Sequence, residues 1–194
     1  MAEEQHITFY LDPVCPYAYK TSLWIREVRN VRPLEIDWRF LSLRAVNEGS
    51  ENLKDGHFLS ANPFRVMAKA RRERGTEAVD ALYAAIGHAR FEERKDISET
   101  QVLEAAAGHA GIDPAIVTRA LEDETTITDV EDDHRRAVSD GAFGVPSIDL
   151  EDRHRPFFGP VISDVPQGER AGELWDRFAW LIQQDEFYEI KRER

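Results

Sequence analysis

Two short stretches carry residue types that could do chemistry. The first is DPVCPYAYKTS, residues 12–22, which holds Cys15, the one cysteine of the chain. A thiolate is the nucleophile of disulfide exchange. It forms more readily where the unpaired N–H groups and positive dipole end of a helix meet the sulfur. Pro16 follows directly, and proline is favoured in a first helical turn, where its missing N–H has no partner to lose. Cys15 is therefore expected at a helix N-terminus, partly accessible, with a pKa lowered from about 8.5 into the range of roughly 3.5–7.5. The second stretch is GAFGVPSIDL, residues 141–150, with Val145-Pro146 at a strand entrance. X-Pro bonds are where cis peptides occur, and a strand tolerates proline at its first residue.

Other chemistries find little support. The six histidines stand at 6, 57, 88, 109, 134 and 154, without H-x-x-x-H or paired-Cys spacing, so no metal site is expected. DVEDDH at 129–134 reads as a solvated helix face, as do Arg71, Arg72 and Arg74 among their acidic neighbours. There is no G-x-G-x-x-G or Walker pattern, hence no nucleotide cofactor is expected. The net charge of −12 argues against a nucleic-acid partner, since phosphate contacts need clustered Lys and Arg. No apolar run approaches the ~18 residues of a membrane span. The opening MAEEQHITFYLDPVCP lacks the pattern of a secretory leader. The expectation is a cytoplasmic protein with no membrane partner. The four tryptophans, at 24, 38, 175 and 180, are expected in the core.

The elements that must position Cys15 and Pro146 can be read from periodicity. HITFYL, residues 6–11, alternates as a strand, a helix runs from Pro16 toward Arg32-Pro33, and LEIDWRFLSL, residues 34–43, alternates again. Strand, helix, strand in about forty residues is the pattern of an α/β fold. Short helices follow, over 62–75, 76–90, from a Ser98–Gln101 capping box to Gly111, from Asp113-Pro114 to Leu121, and over 127–140. Strands return at 145–150 and 154–158, and an amphipathic helix over 169–184 closes the chain. The α/β layer thus brackets a helical block. This predicts a discontinuous domain, 1–45 with 136–194, and a helical insertion, 46–135, that covers Cys15.

With these residues in hand, the chain resembles the DsbA family of the thioredoxin-like superfamily, and within it the cytoplasmic mycothiol-dependent nitroreductase branch. The likeness rests on FYLDPVCPYAYKTSLWIREV, LSLRAVNE, the GVPS loop, FFGPVISDVPQGERAGELWD and FYEIKR. It implies an α/β thioredoxin fold with an inserted all-helical domain, Cys15 as nucleophile, and Pro146 as a cis-proline beside it. It further implies substrate contacts from Pro16, Tyr17, Ala18, Asn47 and Val145, and a small thiol, mycothiol or an analogue, as cosubstrate. The departure is Ala18, which stands where the family carries its resolving cysteine. An intramolecular disulfide cannot form, which leaves monothiol chemistry on mixed disulfides or small electrophiles. Two other readings stay open: an enzyme like the kappa-class glutathione transferases or the related isomerases, which only binds the thiol of its cosubstrate, and a non-catalytic binding module. The oligomeric state is unset, and a homodimer is compatible with the sequence.

Overall fold

The computed structural model describes residues 4–150 and 153–191. Strand β1 (Gln5–Leu11) runs parallel to β2 (Leu34–Phe40) and antiparallel to β3 (Ser147–Leu150). The short β4 (Phe157–Phe158) completes a four-stranded sheet of order β2-β1-β3-β4. The period of two sends Ile7, Phe9 and Leu11 to one face, in line with Ile36, Trp38 and Phe40 of β2 and Ile148 and Leu150 of β3. Trp24, Ile25 and Val28 of α1 (Pro16–Arg29) and Trp175 and Phe178 of α8 (Glu169–Ile182) belong to the same core. The Trp24 indole donates to the Ala171 carbonyl at 3.2 Å, which satisfies a buried polar group while joining the two helices.

Between β2 and β3 the chain is helical: α2 (Leu43–Val46), a 3-10 segment (Asp55–Ser60), α3 (Ala61–Arg74), α4 (Thr76–Gly87), a π turn (His88–Glu92), α5 (Thr100–His109), α6 (Ile116–Glu122) and α7 (Thr125–Ser139). Their apolar faces, from Phe64 and Met67 of α3 to Val79, Leu82 and Tyr83 of α4, merge with the sheet core without a break. Gly87 lets this block pack closely on Tyr19 of α1. A Cβ there would lie 2.2 Å from the Tyr19 ring, so any side chain would force the helices apart.

Strand β2 is an edge, whose unpaired N–H groups need cover. The Phe40 N–H donates to Asp133 of α7 at 3.1 Å, and the Trp38 N–H to the Thr76 hydroxyl at 3.4 Å. Asp133 also takes Arg39 and Arg71. It is therefore buried, against the expectation that 129–134 is wholly solvated. A charge that satisfies an edge strand and two guanidinium groups is held inside by those partners.

Other boundaries differ from expectation for local reasons. The second strand ends at Phe40 because the Ser42 hydroxyl accepts from the Ala45 N–H at 3.3 Å and starts α2. The Ser98–Gln101 capping box does not form. The Ser98 hydroxyl donates to Asp96 at 2.7 Å instead, and α5 begins at Thr100. The last strand is only two residues, and α4 gives way to the π turn at His88. Trp180 lies outside the core, 64% exposed on α8.

Candidate active site

Cys15 stands between the C-terminal end of β1 and the first turn of α1. Its N–H donates to the Asp12 carbonyl at 3.0 Å, which closes the turn at Pro13. Its side chain is the cap of α1: the Ala18 N–H donates to Sγ at 3.4 Å. This contact favours negative charge on sulfur. The thiol also lies 3.4 Å from the Val145 carbonyl, to which it can donate. The two stretches singled out by chemistry, 130 positions apart, therefore meet at one atom pair.

The Val145–Pro146 peptide bond is cis. The loop that carries it is fixed from both sides. The Ser147 hydroxyl donates to the Gly144 carbonyl at 2.8 Å, and the Gly159 N–H donates to the Pro146 carbonyl at 2.8 Å. A second cis bond, Gly159–Pro160, follows, and the Thr21 hydroxyl of α1 donates to the Pro160 carbonyl at 2.7 Å. Helix α1, the 141–147 loop and the 157–160 segment are thereby tied together around Cys15. That tie runs through long-range partners, so Gly159-Pro160 reads from sequence only as a turn.

Around the sulfur, Tyr10, Ala18, Leu41, Ala137, Ala142 and Val145 form a small apolar cluster, with Leu43 and Val46 of α2 against it. Cys15 is consequently 5% exposed, more enclosed than the expected partly accessible thiol. The cluster encloses the sulfur, and α2, of which only Leu43 falls in the expected strand 34–43, adds Leu43 and Val46 to it. Pro16 and Tyr17 are exposed on the rim, Tyr17 at 42%, whereas Ala18 is fully buried beneath the sulfur-bearing turn. Asn47 ends α2, where its amide donates to the Leu43 carbonyl at 2.7 Å as a helix cap.

Two residues near the thiol carry no sequence signal of their own. Asp12 is fully buried. One carboxylate oxygen accepts from the Val14 N–H at 3.0 Å, the other from the Leu43 N–H at 2.7 Å. It thus pins the start of α2, and through α2 Asn47, to the turn that bears Cys15. Tyr83 of α4, also fully buried, has a hydroxyl with no hydrogen bond of ordinary length. Burial drives its pKa well above the usual 10, and negative charge on Cys15 adds to the effect.

Burial pushes the Asp12 carboxyl up from its ordinary 3.8 to about 7, while its two backbone donors pull the other way. The folded state then holds this proton more tightly than the unfolded chain. The stability tied to that proton is fully present below pH 3.8 and is lost as pH rises to about 7. The loss is on the order of 4 kcal/mol. Asp12→Asn, with nothing to titrate, should flatten the fall in unfolding free energy between about pH 4 and pH 7. Urea unfolding at stepped pH measures this, and a slope equal to that of the unaltered protein would contradict it.

On the opposite face of the sheet from the main core, a polar cavity of about 130 Å³ is lined by Thr8, Tyr10, Arg39, Asp133, Asp149 and His154, among others. Burial first, then Asp149 and Asp140, push the Tyr10 hydroxyl up to about 12, so it stays protonated as one wall between this cavity and the thiol cluster. Among the described residues, one group of carboxylates and histidine could gather a cation, Glu4, His6 and Glu35, exposed at the other end of β1 from Cys15. Among the described residues no helix is long and apolar enough to cross a membrane.

Comparison with known proteins agrees with this geometry. A family model described as Rv2466c-like, mycothiol-dependent nitroreductase Rv2466c, matches residues 14–192. A curated relative, the uncharacterized protein Rv2286c of Mycobacterium tuberculosis, is 34% identical over 188 residues, covering 96% of this chain and 81% of its own. Among solved structures, the cytosolic disulfide reductase DsbM from Pseudomonas aeruginosa superposes with a TM-score of 0.62 at 18% identity, over 91% of this chain and 99% of its own. It has also been solved with GSH. The probable DsbA oxidoreductase SCO1869 from Streptomyces coelicolor gives 0.62 at 19% identity, over 98% and 94%. The fold is thus the thioredoxin fold with inserted helices, as in DsbA-like proteins.

Proposed function

The chain belongs to the Rv2466c-like family of mycothiol-dependent nitroreductases, and from that premise we propose that it is a thiol oxidoreductase that works through a single thiol, Cys15, with a small thiol as cosubstrate. The observation that carries this reading is the pair of contacts at Sγ, Ala18 N–H on one side and the Val145 carbonyl of the cis-proline loop on the other, each at 3.4 Å. The first stabilises a thiolate. The second offers a backbone acceptor beside the sulfur, where an entering thiol can be held.

The chemistry needs no second cysteine in the chain. The Cys15 thiolate attacks one sulfur of a disulfide, the Sγ–S bond forms, the old S–S bond breaks, and a thiolate leaves with the electron pair. A small thiolate then attacks the mixed disulfide and Cys15 leaves, a departure made easier by whatever lowers its pKa. Mycothiol is the small thiol we assign, on the family's description. DsbM, a more distant relative by fold, has been seen with GSH. Tyr17, Pro16, Ala18, Asn47, Val145 and Pro146 are the assigned contacts for the bound thiol. Residues 46–135 act as a helical lid on a discontinuous core, 1–45 and 136–194, and a thiol this enclosed is reached when α2 and the 141–146 loop part. The place of action is the cytoplasm, where a small-thiol pool exists.

Steady-state kinetics test the mechanism. Varying small thiol against small disulfide should give parallel double-reciprocal lines, the ping-pong pattern of a covalent intermediate. Intersecting lines would favour the second reading, a transferase-like enzyme that holds the thiol of its cosubstrate without forming a bond to Cys15. The enclosure of Cys15 and the alanine at position 18 are what keep that reading in play.

A further inference from the structure

Two phenylalanine rings stand exposed on the chain segments that carry and flank the cis-proline loop. Phe143, two residues before Val145, is 67% exposed, and Phe158 of β4 is 38% exposed. Their rings stack on each other, with centroids 5.2 Å apart and planes 27° from parallel. Neighbouring Phe157 shows what the core does with such a ring: it turns inward and meets Phe178 edge-on at 5.9 Å. The register explains the difference. Phe157 pairs with Ile148, on the core face, and Phe158 with Ser147, on the face that carries the thiol cluster.

Phe158 also lies directly on the backbone that leads to the thiol. A Cβ at Gly144 would come within 3.1 Å of its ring, so the glycine is what lets the ring sit there. Gly144 precedes Val145, whose carbonyl is 3.4 Å from Sγ. Two residues of chain span at most about 7 Å, so Phe143 starts within reach of a group attached to the sulfur. Tyr17, 42% exposed and two residues after Cys15, is a third exposed ring on the rim. Stacking on each other leaves both phenylalanines with apolar area in water, which an isolated surface residue does not explain in a pair.

We propose that Phe143 and Phe158 form a subsite that takes the aromatic ring of the group exchanged at Cys15, which makes small aryl or benzylic thiols and their disulfides the substrate class. The inference rests on the reading of Cys15 as nucleophile. A small molecule is the occupant, rather than a protein chain, because the sulfur is 5% exposed and a folded partner has no path to it. In the exchange the Sγ–S bond forms, the substrate S–S bond breaks, and the leaving thiolate takes the electron pair. The ring stays on the carbon next to the newly bound sulfur, one short arm from the phenylalanine pair.

The test compares benzyl with methyl methanethiosulfonate as reagents for Cys15, followed by intact mass. In each case the thiolate attacks the sulfenyl sulfur and methanesulfinate leaves, so no other redox partner is needed. Relative to the same pair of rates with free N-acetylcysteine, the protein should prefer the benzyl reagent by about five-fold, within the two- to twelve-fold range of an aromatic pair contact. Phe143→Ala, on an exposed ring whose loss leaves the core intact, should bring the preference, read as the ratio of benzyl to methyl rates, down to about that of the free thiol. Phe158→Ala, which removes the second ring of the pair, should lower the preference in the same way. A protein that reacts with both reagents but shows no benzyl preference, or keeps it in both variants, overturns this inference alone. A Cys15 that reacts with neither overturns the nucleophile reading and this inference with it.

Discussion

Ala18→Cys should speed the turnover of a small disulfide in the presence of an external dithiol. Position 18 is one helical turn from Cys15, and its N–H already reaches Sγ at 3.4 Å. Side chains three apart on a helix are neighbours, close enough for two sulfurs to bond. In the unaltered protein a mixed disulfide at Cys15 waits for an outside thiol. In the variant the second thiol attacks the same bond at an effective concentration in the mM range or higher. Against ~0.1 mM external thiol, resolution should accelerate on the order of ten-fold or more. The added sulfur enters a fully buried position, so stability should fall by about 1–3 kcal/mol, visible as a lower Tm. A folded variant that titrates two thiols yet stays at background would show that the site does not engage disulfides.

Cys15→Ser should remove thiol-dependent turnover to the uncatalysed background while the fold survives. Serine is a preferred N-cap, and its hydroxyl can accept from the Ala18 N–H and donate to the Val145 carbonyl as the thiol does. What it cannot do is form a bond to sulfur and release it. The expected loss is therefore complete for disulfide exchange, in the parent and in the Ala18→Cys background, with little change in Tm. Thermal unfolding run beside the activity assay separates lost chemistry from lost structure. Should the serine protein still speed reaction of a small thiol with an electrophile, the thiol at position 15 is dispensable and the transferase-like mechanism takes its place.

The parts of this site that are legible in sequence are those written in local chemistry. A cysteine before proline between a strand pattern and a helix pattern fixes its own surroundings, and Val145-Pro146 at a strand entrance does the same. The βαβ start follows from alternation in HITFYL and LEIDWRF, whose apolar positions lie on the core face except Tyr10, which faces the thiol cluster. Asp12 is illegible because an aspartate before proline at a strand end is an ordinary turn signal. Only the arrival of the Leu43 N–H from 31 positions away turns it into a buried pin. Tyr83 is one apolar position among several on α4, and nothing nearby in sequence tells that its buried hydroxyl feels charge on Cys15. Asn47 reads equally as a loop cap or a ligand contact, and the cap is what its amide makes. Phe143 and Phe158 become a pair only through the register of β3 on β4. The enclosure of Cys15 joins Leu41, Ala137 and Ala142 from distant parts of the chain, with Leu43 and Val46 of α2, a helix too short for periodicity to give away.

A covalent mixed disulfide between Cys15 and one kind of small thiol is visible in the intact mass after incubation with oxidised mycothiol, glutathione or bacillithiol, each in turn. A single adduct of one thiol per chain is expected, formed with mycothiol well ahead of the other two, mapped to the peptide that contains Cys15, absent from Cys15→Ser and removed by the free small thiol. A protein that stays at its unmodified mass with all three disulfides, though folded and reduced, would contradict it.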